Sequence, residues 1–204
     1  GFETIYGDQI TQAMRAIANA IESYMWGVAY VASSRAVGAA GTTPFASNFN
    51  VIAELRQVLV DNGCPMDNQV TLVMNTAAGT KMRNLAQLQK VNEAGSSSLL
   101  RQGTLLELQQ LMIKESAGIG LHTAGAGAGY DVDLTAGYVV GDTVIHLDGG
   151  TVNTTGLKAG DAITFAGDAN VYVIGTGTTE IEADITLNAP GLRKTLADTV
   201  EVTV

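Results

Sequence analysis

The arrangement of apolar residues changes at a run of small residues near the middle of the chain, and this change constrains the fold most. Residues 117–129 read AGIGLHTAGAGAG, which suits a flexible or closely packed connection. Before this connector, apolar residues recur at steps of three and four, as on one side of a helix. After it, they alternate with polar residues, as in strands with one buried face. We therefore predict an α+β fold with a mixed first domain over residues 1–124 and a small all-β barrel over residues 125–204.

The longest predicted element is a helix over residues 8–35, with Asp8 as its N-cap. Its apolar side chains fall on one stripe, formed by Ile10, Met14, Ile17, Ile21, Tyr24, Met25, Val28 and Val31. Gly38 and Gly41 then break the helical pattern. A rod of about 27 residues at ~1.5 Å each is long for a small domain.

Shorter elements follow in the first domain. The pattern predicts helices over 48–61 and 80–90, a strand over 70–74, a loop over 91–103 and a strand end over 111–113. Asn62-Gly63 supplies a stop for the first of these helices. Residues 105–111 fit either a helix or a strand.

The second domain carries short alternating runs separated by turns rich in glycine and aspartate. The predicted strands cover residues 138–140, 143–147, 162–166, 171–174, 180–187 and 199–204. Strands of this length at regular spacing indicate a small barrel or sandwich. We expect its core to be aliphatic.

Charge is concentrated in the second domain. The net charge is −9; residues 1–124 hold nine acidic and eight basic residues, whereas residues 125–204 hold eleven acidic and three basic residues. A domain this acidic repels DNA and anionic membranes. Charged residues make up only 15% of the chain, which favours a protein that buries part of its surface against other subunits.

Residue types that commonly carry catalysis or bind metals are few and scattered. Cys64 is the only cysteine, so no intramolecular disulfide forms. His122 lies in the connector and His146 lies at strand spacing, and a structural zinc site needs four ligands. Both histidines are interpreted as surface imidazoles. We therefore predict no catalytic, cofactor-binding or metal-binding residue, no cofactor, and no enzyme activity.

The acidic residues of the second domain are interpreted structurally. Asp131 and Asp133 are taken as a solvated strand start. Four further aspartates at loop tips are taken as turn formers, because aspartate side chains bond their own backbone: Asp142, Asp148, Asp161 and Asp168. None of these segments has the spacing of a calcium-binding loop.

Three glycine-containing runs superficially suggest phosphate binding. Residues 76–81, TAAGTK, follow a strand and open a helix, but they lack the spacing of a phosphate loop, so Thr76 or Thr80 is interpreted as a helix cap. Residues 125–129 and 175–177 have alternating glycines, but no helix follows them.

The order of elements in the first domain carries a resemblance. Asn62-Gly63-Cys64-Pro65-Met66-Asp67 precedes the strand Val70 to Thr76 and then Ala77-Ala78-Gly79. This order resembles tailed-phage major capsid proteins, in which a helix ends in a similar turn before a strand of the axial domain. The helix over 8–35 is similar to the spine helix of that family, and residues 99–116 to the stretch that leads back to its peripheral domain. Where the family leads us to expect a glycine, this chain has Gln109-Gln110-Leu111.

The second domain resembles one branch of the same family. Residues 156–167, GLKAGDAITFAG, resemble a strand pair of the β-barrel inserted in P-twenty-two-like coat proteins. Residues 186–193 and 197–204 resemble the closing strands of that barrel.

The resemblance implies a Hong-Kong-ninety-seven-like capsid fold and a structural role. Subunits of this family form the pentamers and hexamers of an icosahedral shell, commonly with a scaffolding protein as partner. It implies assembly in the host bacterial cytoplasm, a place in the virion capsid, and neither sequence-specific nucleic-acid binding nor a membrane partner. The family's N-terminal arm, extended loop and later peripheral strands are not recognised in this chain, as in a shortened product.

Two expectations follow from the resemblance. Ile17 and Ile21 should pack under the axial sheet, so that Ile17→Asp would cost several kcal/mol. The acidic barrel should face away from packaged DNA.

Two other functions are compatible with the sequence. An encapsulin-type compartment shell would share the core of the first domain, but the inserted barrel favours a phage coat protein over this alternative. A small β-barrel ligand-binding module or enzyme domain would need a concave pocket with convergent polar groups.

Overall fold

The chain folds into helices, a small mixed sheet and a larger antiparallel sheet. The computed structural model describes residues 2–38, 41–67, 70–90, 92, 95, 102–103, 105, 107–151 and 156–204. Two compact units form, one from Gly1–Trp26 with Val37–Gly120 and the other from Gly27–Ala36 with Leu121–Val204. Most of the loop predicted over 91–103 lies outside the described residues. The predicted domain boundary lies at residue 124, whereas the second unit begins its C-terminal part at Leu121 and also includes Gly27–Ala36.

The long predicted helix is present with different ends. It runs over Phe2–Val31 and is named α1. Asp8 is therefore an interior residue and not the N-cap, because the helical backbone continues through Gly7, whose carbonyl accepts a hydrogen bond from the Thr11 hydroxyl. The helix ends four residues early because Arg35 forms a bridge with Tyr172, and the amide of Ala36 donates to the carbonyl of Val171.

The rest of the first unit packs helices against a three-stranded sheet. Its helices are α2 (Asn50–Asp61), α3 (Thr76–Arg83) and α4 (Ala86–Gln89), and its strands are β1 (Thr71–Met74), β2 (Glu107–Leu108) and β3 (Leu111–Glu115). The strand order is β1-β3-β2, with β1 parallel and β2 antiparallel to β3. A buried cluster including Ile52, Met74, Met82 and Leu111 holds them together.

The prediction of a single helix over 80–90 was wrong, because two shorter helices cover this part of the chain. The first begins earlier, as α3, because the Asn75 side chain accepts a hydrogen bond from the Ala78 amide at 2.8 Å and caps it. Asn75, and neither Thr76 nor Thr80, is the N-cap. The helix stops at Asn84 and resumes as α4 after the extended residue Leu85.

Within the ambiguous stretch over 105–111, the residues from Glu107 to Leu111 belong to a tight hairpin. Leu108 pairs with Leu111 across two residues, Gln109 and Gln110, with φ of 53° and 67°. Positive φ at both central residues is the type I′ geometry, which glycine and asparagine favour. Residues 111–113 begin strand β3 and do not end a strand.

The second unit is a nearly closed β-barrel. Its strands are β4 (Asp131–Val132), β5 (Val144–Asp148), β6 (Ala162–Phe165), β7 (Tyr172–Thr176), β8 (Ala183–Leu187) and β9 (Val202–Thr203), in the order β4-β5-β8-β7-β6-β9. The two edge strands also meet, because the Val202 amide donates to the Tyr130 carbonyl at 2.8 Å and the Val132 amide donates to the Val200 carbonyl at 2.9 Å. Closure pairs backbone groups that an open sheet would leave exposed.

The sequence predicted an aliphatic barrel core, but the core also contains aromatic side chains. Tyr130, Phe165 and Tyr172 are fully or almost fully buried beside aliphatic side chains such as Ile145 and Ile185. Both tyrosine hydroxyls find partners, the Glu180 carbonyl for Tyr130 and the Asp168 carboxylate for Tyr172. The predicted strand over 138–140 is reduced to one bridge between Tyr138 and Leu196.

No helix in the described part of the chain combines the length and the hydropathy needed to cross a bilayer.

Candidate functional site

The most extensive candidate surface is the apolar stripe of α1. We define the α1 stripe as Ile10, Met14, Ile17, Ile21, Tyr24 and Met25, whose side chains are 54% to 74% exposed. Residues 3–25 of the helix are exposed on every side. Monomeric proteins rarely leave a contiguous apolar surface of this length open, and such surfaces mark protein–protein contacts.

The expectation that Ile17 and Ile21 pack under the sheet of the first unit was wrong. Each is 54% exposed. The buried cluster of that unit is completed by side chains from α2, α3 and the sheet, including Ile52, Ala78 and Ile113. The stripe therefore has the spacing of a buried helix face without being covered.

A second cluster surrounds the buried carboxylate of Asp161. This carboxylate is fully buried and accepts hydrogen bonds from the His122 ring at 2.6 Å, the Lys158 amide at 2.7 Å and the Gly125 amide at 3.1 Å. The Tyr30 hydroxyl lies 3.3 Å from Nδ1 of the same His122 ring. His122 is thus half-buried and not a surface imidazole, and Asp161 fastens the connector to the barrel as well as shaping its own turn.

A third cluster lies on the outer face of the barrel, around His146. Its Nδ1 is 2.7 Å from Asp184, and its Nε2 is 3.5 Å from Glu182 and 3.9 Å from Asp133. The hydrogen bond to Asp184 is the main reason why the pKa of His146 is raised above its ordinary value. Three ligand-type atoms, from Asp133, His146 and Glu182, lie within 4.8 Å of one another.

The glycine-containing runs have structural roles. Gly79 in α3 sits against the Glu115 side chain, which forms a two-point ion pair with Arg83. The Gly127 amide donates to the Gly156 carbonyl at 2.9 Å, and a Cβ at Gly125 would lie 2.0 Å from that carbonyl oxygen. The connector is therefore closely packed at this end.

The other aspartates predicted to form turns or a strand start lie in two separate turns and in one cross-strand pair. Asp142 accepts from the Val139 amide and Asp168 from the Asn170 amide, each within its own turn. Asp131 lies opposite Asp148 in the pairing of β4 with β5. Asp133 is not part of this pair, and its carboxylate lies 3.9 Å from Nε2 of His146.

An open groove of about 420 Å³ lies in the loop before α2. Phe45, Val51 and Pro44 supply its apolar lining, and Glu54 is its one ionisable lining residue. The other polar side chains of its lining are the hydroxyls of Thr42, Thr43 and Ser47 and the amide of Asn48.

No known protein-family profile matches the chain. No curated protein matches it either. One solved structure that resembles it comes from Mycobacterium phage Che8, with 16% sequence identity and a TM-score of 0.46. The alignment covers 89% of this chain and 60% of the other, so the chain spans about three fifths of that protein. A likeness at this level identifies neither a family nor a function.

Proposed function

We propose that this chain is part of a structural coat protein of a tailed bacteriophage or prophage, whose subunits form the pentamers and hexamers of an icosahedral shell. The observation that carries the proposal is the uncovered α1 stripe, since it supplies an assembly surface. The order of helix, mixed sheet, small-residue connector and barrel supports the same role through its resemblance to P-twenty-two-like coat proteins.

The energetics favour several contacts per subunit. Fully burying one large apolar side chain contributes roughly 1.5–3 kcal/mol, so six half-exposed ones contribute roughly 5–9 kcal/mol. Association itself costs an estimated ~4–15 kcal/mol in lost freedom of motion. One stripe is therefore marginal for a pair of subunits, and a closed shell would require further contacts from other surfaces of each subunit.

The proposed role requires no reaction and no cofactor. The barrel is assigned to the shell surface facing away from packaged DNA, because its net charge of −8 would repel phosphate. A scaffolding protein is the proposed partner during assembly in the host cytoplasm, and the virion capsid is the proposed destination.

Negative-stain electron microscopy of the protein expressed with its neighbouring gene products tests the proposal. We expect uniform closed shells from the full-length coat protein that contains this chain, and none from its variant with Ile10→Asp and Met14→Asp. Gln12→Glu combined with Asn19→Asp is the matched control, because both residues are exposed on the opposite side of α1 and the pair adds the same two negative charges.

Shells that form equally well with the double variant would remove the α1 stripe as the assembly surface. Small oligomers without shells under all scaffolding and salt conditions would refute the coat-protein proposal. A saturable thermal stabilisation by nucleotides or sugars would then favour the ligand-binding alternative.

A further inference from the structure

Three neighbouring strands bring four metal-binding side chains together on the outside of the barrel. His146 lies on β5, directly opposite Asp184 on β8. Glu182 immediately precedes β8, and its carboxylate lies 3.5 Å from Nε2 of His146. Asp133 follows β4, and its amide donates to the His146 carbonyl at 3.0 Å, which fixes its position beside the imidazole.

The separations match those between ligands of one metal ion. Zinc bonds to nitrogen and oxygen are about 2.0–2.2 Å long, so two ligands at a tetrahedral angle lie about 3.3–3.6 Å apart. The Nε2 atom of His146 is 3.5 Å from a Glu182 oxygen and 3.9 Å from an Asp133 oxygen. Only small side-chain rotations are needed to bring all three atoms into one coordination sphere.

The fourth side chain orients the imidazole. The Asp184 carboxylate lies 2.7 Å from Nδ1 of His146 and accepts a hydrogen bond from the Nδ1–H group, so the lone pair of the neutral ring is on Nε2. That nitrogen is the one facing Asp133 and Glu182. A carboxylate that holds the second nitrogen of a ligating histidine is a recurrent feature of metal sites, where it fixes the tautomer and raises the basicity of the ligand.

Charge gives an independent argument. Asp133, Glu182 and Asp184 carry three negative charges around a ring that supplies at most one positive charge. The excess is about two charges, which a divalent cation neutralises. Exposures between 33% for His146 and 66% for Glu182 leave the cluster accessible to an ion from solvent.

We propose that Asp133, His146 and Glu182 bind one divalent transition-metal ion of the zinc type, with Asp184 as the positioning residue and water completing the coordination. An imidazole ligand favours such ions over Mg²⁺ or Ca²⁺, which prefer oxygen ligands alone. The ion would fasten β4, β5 and β8 together, so binding would raise the thermal stability of the barrel. This inference does not depend on the proposed shell function.

Titration calorimetry with ZnCl₂ on the full untagged chain tests it, in a Cys64→Ser background that removes the competing thiol. We expect one equivalent of zinc to bind and the melting temperature to rise. His146→Ala should abolish binding, and Asp133→Asn or Glu182→Gln should weaken it at least tenfold. Asp184→Asn should weaken it about 10–100-fold by releasing the imidazole. Glu201→Gln, which removes an exposed charge elsewhere on the barrel, should change affinity less than twofold.

Circular dichroism of each variant without metal separates a lost ligand from a lost fold. Absence of saturable binding to the Cys64→Ser chain would overturn the proposal and leave the cluster as a network of ion pairs. Zinc binding by the His146→Ala or Glu182→Gln variant with the same affinity as the Cys64→Ser chain would overturn it as well. Neither result would bear on shell formation, which depends on the α1 stripe.

Discussion

At the scale of single residues, Tyr172 shows how the barrel buries polar groups. Its ring is fully buried, and its hydroxyl donates to Asp168 at 2.7 Å and accepts from the Arg193 amide at 3.0 Å. The Arg35 guanidinium lies 4.6 Å from the ring centre and donates to the Gly191 carbonyl. Burial, with a further contribution from Asp168, raises the pKa of Tyr172 to about 12.

This pKa predicts a loss of stability in alkaline solution. The unfolded chain releases the tyrosine proton near pH 10, whereas the folded chain retains it to about pH 12. The stabilisation is therefore complete below pH 10 and is lost as the pH rises from 10 to 12. A shift of this size corresponds to about 2–3 kcal/mol. We expect urea midpoints of the parent chain to fall steeply over this interval.

Two variants identify the residue responsible. Tyr172→Phe should be less stable at pH 7, because Asp168 and the Arg193 amide lose their partner, but its stability should fall less between pH 10 and 12. Tyr24→Phe, at a position that is 74% exposed, should keep the parent's pH dependence. Identical alkaline profiles for all three proteins would contradict the assignment.

At the scale of elements, two glycines of the connector differ in how closely the surrounding atoms pack against them. A Cβ at Gly125 would lie 2.0 Å from the Gly156 carbonyl oxygen, whereas a Cβ at Gly120 would meet nothing within 4 Å. We predict that Gly125→Ala lowers the free energy of unfolding by about 1–3 kcal/mol through overpacking. Gly120→Ala should change it by less than about 0.5 kcal/mol. Urea unfolding followed by circular dichroism measures the free energy of unfolding of both variants. Equal effects would mean that the backbone near Gly125 shifts to accommodate the added methyl group.

Sequence patterns predicted the elements whose buried residues recur with a regular period. The alternation that predicted a strand over 143–147 is realised in β5, with Ile145 and Leu147 buried. The Gln109-Gln110 hairpin was missed because glutamine is not a usual residue at positive φ, and the pairing with β3 determines the turn.

The metal-type cluster could not be found from sequence. Asp133, His146 and Glu182 are spread over fifty residues, and the strand order, in which β8 lies beside β5, brings them together. The one local signal was that Glu182 and Asp184 share a face, and alternation alone gives the same pattern for any solvated strand. Likewise, helical spacing defined the α1 stripe but not whether anything covers it.

At the scale of the whole molecule, the chain has more apolar surface than its own two cores can use. The barrel core and the core of the first unit are each closed by residues from their own elements. The α1 stripe belongs to neither core, although its side chains are as large and apolar as those buried in both. Stability of the single chain therefore depends on the core residues, whereas the α1 stripe is left for the proposed contacts between subunits.

This separation predicts a specific behaviour for Ile17→Asp. Because Ile17 is 54% exposed, the variant should unfold within about 0.5 kcal/mol of the parent, and not several kcal/mol below it as a buried position would require. It should instead weaken self-association, measured by sedimentation velocity over a concentration series, because a charge would enter the subunit contact. Ile52→Ala, at a position that is 1% exposed, should show the reverse, with a loss of about 2–5 kcal/mol in stability and little direct effect on association of the folded protein. If Ile17→Asp instead unfolds as readily as Ile52→Ala, the stripe is covered within the chain and cannot serve as the assembly surface.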